Sequence, residues 1–306
     1  MTITAKRLLS PEDELQLALL YCVPDEGKEI KGILQLVHGM CEHKERYIPF
    51  MQYMAGNGWI CVIHDHRGHG ESVHYPNELG YFYKGGWQAM VHDVKRVTEW
   101  IRTEFPGQKI CMLGHSMGSM VVRSFLKEND SQIEKLIVCG SPSKNPAAGA
   151  GICLTNWIIR NFGGMSRPKM VQKMSFNSFN RRFRKEGSAN AWICTDKAIV
   201  KAYDADPLCA YQFTANGFNN LLKLMKDTYG KEGWNLSHPE LPIRFISGSD
   251  DPCLVSRKKF SKAVEFIRKV GYKNVTSHLY PGMRHEILNE TDKELVWKDV
   301  LAFLEN

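Results

Sequence analysis

The sequence contains no run of apolar residues that approaches the roughly 20 needed for a helix to cross a bilayer. It also lacks a signal-peptide pattern, because Lys6 and Arg7 near the N-terminus are not followed by an apolar segment. With neither a spanning segment nor a secretion signal, the sequence predicts a cytoplasmic protein.

Closely spaced cysteines are absent as well. The nine cysteines occur singly between Cys22 and Cys253, and no CxxC or CxC pair is present, which disfavours a zinc ribbon or a redox pair. Most stand in apolar runs, as Cys61 and Cys139 do, which is typical of small buried side chains that remain reduced.

The overall composition is that of a globular protein. Hydrophobic residues make up 43% and charged residues 24%, which excludes intrinsic disorder, collagen and coiled coil as the main class. The 306 residues fit one α/β domain with an insertion better than two equal domains.

The positive charge is concentrated in one segment. The net charge is +7, but residues 144–185 hold nine Lys and Arg and no Asp or Glu, while the rest is nearly balanced, with 31 basic and 33 acidic residues. This local distribution predicts no nucleic-acid partner. Two interpretations of the segment stay open: a solvated loop whose apolar neighbours line a pocket, or a surface that makes transient contact with an anionic membrane or micelle.

Strand and helix patterns alternate toward both ends of the chain. Apolar runs predict strands at residues 15–22, 32–37, 59–64, 109–113, 136–139, 243–247 and 275–280. Helical spacing and capping predict helices at residues 46–56, 87–104, 116–127, 257–270 and 292–304. This alternation predicts an α/β fold with a mainly parallel sheet and helices on both faces.

The alternation stops in the middle of the chain. Residues 143–240 show no regular pattern and are predicted to be an irregular insertion, so residues 1–142 and 241–306 are predicted to form the core. An insertion at the carboxyl end of a strand lies over the edge where open α/β sheets bind ligands. The sequence therefore predicts a cap over the functional site.

The strongest chemical signal is Gly114-His115-Ser116-Met117-Gly118. It follows an apolar strand and opens a predicted helix, which is the context of a G-x-S-x-G nucleophile elbow. The glycines let the strand and helix backbones pass close together, and the helix N-terminus presents N–H donors to developing negative charge. Ser116 is therefore the predicted nucleophile.

A serine hydroxyl needs a general base, and the base in turn needs an acid that fixes its tautomer. His285 has the best position for the base, because it stands in the loop directly after the last predicted strand. Asp250 and Asp251 both follow the strand at residues 243–247; Asp251 is the favoured acid and Asp250 the alternative.

Two backbone N–H groups are predicted to hold the oxyanion. That of Met117 directly follows the nucleophile, and that of Met40 follows the strand at residues 32–37, where Gly39 allows close approach. The three histidines within residues 64–69 match no closed zinc spacing, so a tight glycine turn is predicted there and no metal site.

Together these motifs resemble the α/β-hydrolase superfamily, in particular its serine aminopeptidase-like branch, which includes monoacylglycerol lipases and lysophospholipases. The matching pieces follow the family order: His38-Gly39-Met40, Glu42-His43, Arg46-Tyr47, residues 65–72, residues 114–118, Gly248-x-x-Asp251 and Gly282-x-x-His285-Glu286. The resemblance implies a triad of Ser116, Asp251 and His285, with Met40 and Met117 as oxyanion donors. It also supports Asp251 over Asp250, because the family's acid stands three residues after the glycine.

The predicted function is hydrolysis of small-molecule carboxylic esters by a serine enzyme that needs no metal or organic cofactor. Monoacylglycerols, lysophospholipids and other acyl esters are the substrates that the resemblance implies. An aminopeptidase of the same fold stays an alternative, although it would want acidic residues in the cap to hold an amino group, and the first half of the cap has none. A non-catalytic binding module is less favoured, because all three triad positions are filled.

Overall fold

The computed structural model describes residues 1–176 and 178–306. Its strands are β1 (Thr2–Leu9), β2 (Gln16–Val23), β3 (Gly32–Val37), β4 (Trp59–His64), β5 (Ile110–His115), β6 (Lys135–Cys139), β7 (Ile243–Gly248) and β8 (Val275–Tyr280). They form one sheet in the order β1-β2-β4-β3-β5-β6-β7-β8. Strand β2 runs antiparallel to β1 and β4, and the remaining neighbours are parallel. The mainly parallel sheet is therefore confirmed.

The helices before the insertion are α1 (Ile48–Gly56), α2 (Gly86–Glu104) and α3 (Met117–Asn129). Those between β6 and β7 are α4 (Ala148–Phe162), α5 (Lys169–Phe176), α6 (Lys197–Ala205) and α7 (Ala215–Thr228). The last two are α8 (Arg257–Val270) and α9 (Lys293–Glu305).

Helices cover both faces of the sheet, as predicted. Along β5, Ile110 and Met112 join an apolar cluster with residues of α2, α3 and α8, whereas Cys111 and Leu113 join a second cluster with residues of α1 and α9. Successive side chains of a strand point to opposite faces, so the two clusters are the two sides of the sheet.

The sequence prediction missed β1. This strand pairs with β2 along its whole length at the edge of the sheet, and most of its side chains are exposed. Because an edge strand with two solvated faces needs no apolar alternation, the pattern that identifies buried strands is missing from it.

The prediction that residues 143–240 are irregular is wrong, because they contain the four helices α4 to α7. Two of these helices begin at side-chain caps: Asp196 accepts the Ala198 N–H at α6, and Thr214 accepts the Gly217 N–H at α7. The buried positions of α7 include the polar residues Asn219, Asn220 and Thr228, which obscure the helical period of apolar residues in the sequence.

The burial of the cysteines follows the prediction: eight of the nine are buried, and Cys153 is exposed. Burial raises the pKa of the Cys61 and Cys139 thiols well above the usual range, so both remain neutral. Within the described residues, none of the helices has both the length and the apolar content that crossing a bilayer requires.

The carboxyl ends of β3, β5, β7 and β8 lie at one edge of the sheet. Each is followed by a loop that holds a residue singled out in the sequence: Met40, Ser116, Asp251 and His285, respectively. The parallel strands thus bring together residues that are far apart in the chain.

Candidate active site

Ser116 lies in the sharp turn between β5 and α3. Its backbone has φ 52° and ψ −115°, a conformation that non-glycine residues rarely adopt. Gly118 makes this turn possible, because a Cβ at that position would collide with the carbonyl oxygens of Val37 and His38. The strained turn presents the Ser116 hydroxyl at the end of the sheet, at the N-terminus of α3.

The structure brings Ser116, His285 and Asp251 into one hydrogen-bonded line. His285 Nε2 lies 2.8 Å from Ser116 Oγ, and His285 Nδ1 lies 3.0 Å from Asp251 Oδ2. His285 and Asp251 are buried. Because a carboxylate can only accept, Nδ1 carries the proton, and the Nε2 lone pair faces the Ser116 hydroxyl.

The Asp251 carboxylate is fully partnered. Its Oδ1 accepts the Cys253 N–H at 2.8 Å, and its Oδ2 accepts the Ser247 hydroxyl at 2.9 Å in addition to His285. Burial alone would raise the pKa of Asp251, but the neighbouring His285 and these donors lower it below its usual value. The acid therefore stays ionised beside the imidazole.

Asp250, the alternative acid, points elsewhere. Its carboxylate lies 3.0 Å from the guanidinium of Arg182, and both side chains are partly exposed. The hydrogen bond to His285 is made by Asp251.

The loop after β3 lies against Ser116. A Cβ at Gly39 would lie 2.9 Å from the Ser116 Cβ, so only glycine allows this approach. In the described part of the chain, the N–H groups of Met40 and Met117 have no hydrogen-bond acceptor. Both donors are therefore available to an oxyanion on the Ser116 side of the site.

The tight turn of residues 64–70 packs against the loop after β3. His38 Nε2 accepts the His66 N–H at 2.9 Å, so His38 Nδ1 carries a proton and donates to the Gly39 carbonyl at 2.7 Å. Burial lowers the pKa of His64 and of His69 to about 4, and it lowers that of His38 and His66 as well. These neutral rings pack together beneath the rim, in agreement with the predicted glycine turn.

Metal-ligating atoms converge in two groups among the residues that the structure describes, and neither includes the histidines of the 64–70 turn. One group contains Asp251 and His285 of the line above. The other contains His43, Asp206 and Cys209. Both nitrogens of His43 already face carboxylates, Glu45 at 2.6 Å and Asp206 at 2.9 Å, so this group is a polar link between the loop after β3 and the insertion.

The insertion also contacts His285 directly, a contact that was not predicted from the sequence. The Trp192 ring lies 5.0 Å from that of His285 and 5.2 Å from that of Phe179. Arg284 donates to the carbonyls of Ala191 and Cys194. No sequence signal marked Trp192, because it stands in an irregular stretch without a motif.

A series of charged side chains, most of them buried, lies next to His285. Arg46 forms two hydrogen bonds to Glu286, of 2.7 Å and 2.6 Å, and a third to Glu42 at 3.2 Å. Glu42 also accepts His115 Nδ1 at 2.9 Å. The sequence marked these residues only as part of a family pattern, without a role.

Comparison with known proteins gives consistent relatives. The family model described as Serine aminopeptidase, S33 matches residues 28–292. The chain is 24% identical over 293 residues to a monoacylglycerol lipase of Mycolicibacterium smegmatis, covering 94% of this chain and 92% of that protein. It is 25% identical over 279 residues to a monoglyceride lipase homolog of Monkeypox virus, covering 90% of each.

The fold also matches solved structures. A thermostable carboxyl esterase from Bacillus coagulans superposes with a TM-score of 0.90 at 23% identity, covering 99% of this chain and 98% of that one. A soluble variant of the Saccharomyces cerevisiae monoglyceride lipase superposes with a TM-score of 0.73 at 18% identity, covering 100% and 96%.

Proposed function

Because this chain belongs to the serine aminopeptidase S33 family of α/β-hydrolases, we propose that it hydrolyses carboxylic esters through a Ser116–His285–Asp251 triad. The protein is a hydrolase that acts on esters, as its lipase and esterase relatives indicate. The triad, the oxyanion donors and the substrate class are the further content of the proposal. Its main support is the line of hydrogen bonds from Asp251 through His285 to Ser116.

The proposed reaction has two half-reactions. His285 Nε2 takes the proton of the Ser116 hydroxyl as the oxygen attacks the ester carbonyl carbon. The N–H groups of Met40 and Met117 stabilise the negative charge on the carbonyl oxygen. His285 then protonates the departing alcohol, and water repeats the attack on the acyl-enzyme to release the acid.

Acyl esters with an apolar acyl chain suit the surroundings of the base. The rings of Phe176, Phe179 and Trp192 follow one another from the insertion to His285, with centroids 5.7 Å and 5.2 Å apart. Such a row of aromatic side chains offers apolar contact beside the scissile bond. Monoacylglycerols and lysophospholipids have this character, and residues 143–240 act in the proposal as the cap that selects among them.

The aminopeptidase alternative is favoured by the description of the family, but five acidic side chains of the cap have partners within the protein. Glu186 pairs with Arg284, and Asp206 binds His43. Three further carboxylates of the cap also have partners. Asp196 caps α6, Asp204 accepts hydrogen bonds from Ser188 and Asn190, and Asp227 pairs with Lys127. None of these five carboxylates is free to hold a substrate's amino group.

A panel of model substrates tests the proposal. We expect p-nitrophenyl esters to be hydrolysed and aminoacyl p-nitroanilides to be left intact, with a preference for acyl groups longer than acetyl because of the aromatic row. Release of p-nitrophenol and p-nitroaniline is measured under identical conditions. Faster turnover of the anilides would favour the aminopeptidase, and turnover of neither, with no fluorophosphonate labelling, would favour a binding module.

The cap also presents a surface suited to lipid. Trp157, Phe162, Met165, Met170 and Met174 are between 40% and 70% exposed, and they come from one stretch that includes α4 and α5. Ile158, the residue next to Trp157 in α4, is buried, whereas Trp157 is exposed.

The cations of the cap fall into two groups by their surroundings. Arg160, Lys169 and Lys173 are exposed within the apolar stretch, whereas Arg181, Arg184 and Lys185 are exposed beyond it. Arg167 donates to the carbonyls of Asn77 and Leu79, so it links the cap to the core. Contact of the first group with anionic lipid or micelles is part of the proposed function.

Ionic strength tests this contact. We expect activity on negatively charged vesicles of acyl ester to fall as salt rises, because exposed charges are screened beyond about 8 Å at 0.15 M. Activity on a small neutral ester should stay constant over the same range. Replacing Arg160, Lys169 and Lys173 with Gln should weaken vesicle binding by on the order of 10²-fold, at about 1 kcal/mol for each cation near the surface.

The matched control removes the same number of charges from the second group, Arg181, Arg184 and Lys185. Because these residues lie outside the exposed apolar stretch, the control should bind vesicles more tightly than the first triple variant. Identical salt curves for the vesicle and the small ester in the unmodified protein would leave only the solvated-cap interpretation.

A further inference from the structure

Four buried side chains form a chain of alternating charge behind the catalytic groups. In order they are His115, Glu42, Arg46 and Glu286, joined by contacts of 2.9, 3.2 and 2.6–2.7 Å. The side chains of His115, Glu42 and Glu286 are at most 5% exposed, and that of Arg46 is 12% exposed. The proposed mechanism assigns no role to any of them.

The contacts of His115 determine its charge. Nδ1 lies 2.9 Å from the Glu42 carboxylate, and Nε2 lies 3.2 Å from the carbonyl oxygen of His285. A carboxylate and a carbonyl can only accept, so both ring nitrogens must donate and the ring is an imidazolium. The chain then carries two positive and two negative charges, which balance within the protein interior.

Members of the chain contact each of the loops that carry the proposed catalytic groups. Glu42 Oε1 accepts the Gly39 N–H, which fixes the loop that presents the Met40 N–H. His115 precedes Ser116 in the chain and holds the His285 carbonyl, while Arg46 holds Glu286, the residue after His285. The oxyanion loop, the nucleophile turn and the base loop are therefore tied to one another through buried charges.

We propose that His115 and Glu42 are positioning residues, which as an imidazolium–carboxylate pair hold the oxyanion loop and the His285 loop in register with Ser116. The proposal rests on the triad mechanism and adds to it. A displacement of about 1 Å in such a site lowers the rate by on the order of 10²-fold. Loss of the pair should thus lower kcat. KM should change little, because the ground-state contacts of the acyl chain with the cap are untouched.

The groups around His115 favour its charged form. Burial alone would lower its pKa, but the facing Glu42 carboxylate raises it above the usual value. Several ionisable groups lie close around it: Glu42, Arg46 and Tyr47 from the segment after β3, and His285 and Glu286 from the loop after β8.

The first experiment is nitrogen NMR on the full protein with labelled histidine, with the His115 signals assigned by comparison with a His115→Gln sample. We expect both ring nitrogens of His115 to be protonated at about pH 7, because both face acceptors. A neutral tautomer at about pH 7 would overturn the proposal, whatever the variants show.

The second experiment compares Glu42→Gln, Glu42→Asp and Glu71→Gln on a p-nitrophenyl ester. Glu71 is the control, because its carboxylate is 53% exposed and pairs with Lys44 outside the chain of charges. We expect Glu42→Gln to lower kcat by roughly 10- to 100-fold with little change in KM, Glu42→Asp to recover part of the loss, and Glu71→Gln to match the unmodified protein.

The pH profile separates positioning from general stabilisation. In Glu42→Gln, His115 loses its proton at lower pH, so activity should gain an alkaline decline that follows the NMR titration of His115. A profile parallel to that of the unmodified protein, or an unchanged kcat, would overturn the proposal. Fluorophosphonate labelling of Ser116 in the unmodified protein is the separate check on the triad, since its failure would contradict the proposed function instead.

Discussion

Replacing Ser116 with Ala should lower kcat for ester hydrolysis by about 10⁶-fold, the loss that follows removal of the serine from a protease triad. Ser116 Oγ is the atom that His285 Nε2 faces at 2.8 Å, and alanine retains the Cβ but cannot form the acyl-enzyme. Initial rates on a p-nitrophenyl ester and fluorophosphonate labelling measure the two consequences. An Ala variant with comparable turnover would contradict the whole mechanism.

The Ser116→Gly variant is a control for folding. The φ of 52° at Ser116 is unfavourable for any residue with a Cβ, and such strain amounts to roughly 1–3 kcal/mol. Both variants should therefore be inactive, while the Gly variant should have the higher melting temperature. Thermal unfolding by circular dichroism makes the comparison, and a Gly variant that melts below the Ala variant would contradict the inference of strain.

The sequence predicted those parts of the fold that are marked by a pattern of consecutive residues. Strands β3, β4 and β5 are buried on both faces, so each contains a run of apolar residues, which only Gln35 interrupts in β3. The turn at Ser116 could also be predicted, because its glycines stand in a short motif between an apolar strand and a helix, although the contact of Gly118 with Val37 and His38 is made by the fold.

The cap was harder to predict because its stability depends on contacts with distant segments. Helix α7 packs against α4 through Asn219, which donates to Thr155 at 2.8 Å, and against α3 through Thr228 and Met120. Polar residues whose hydrogen bonds are made between two packed helices cannot be distinguished from surface residues in the sequence. The edge strand β1 was missed because most of its side chains are exposed, so it lacks the apolar pattern of a buried strand.

The sequence identified residues of the candidate site, but it did not reveal the ion pairs between them. Glu42, Arg46 and Glu286 are separated by up to 244 positions along the chain, and only the fold shows that they form one ionic chain beside His285. Charged residues near a motif are usually solvated, so their burial could not be read from composition.

The choice between the two adjacent aspartates leads to the second large expected effect. We expect Asp251→Asn to lower kcat by on the order of 10⁴-fold, because it reverses the tautomer of the base. The Cys253 N–H at 2.8 Å needs an acceptor, so the Asn oxygen would take that place and its NH₂ group would face His285 Nδ1. Nδ1 must then accept a hydrogen bond, so Nε2 would carry the proton. In that tautomer Nε2 could not take the proton of the Ser116 hydroxyl.

Asp250→Asn is the matched control, since it makes the same chemical change one residue away. Its carboxylate contacts Arg182 at the surface, where such a pair contributes about 0–1 kcal/mol to stability, so kcat should stay within a few-fold of the unmodified protein. The two variants are compared on the same ester and at the same pH. Because Asp251 alone of the two contacts His285, a larger loss in Asp250→Asn than in Asp251→Asn would mean that a different carboxylate orients the base during turnover.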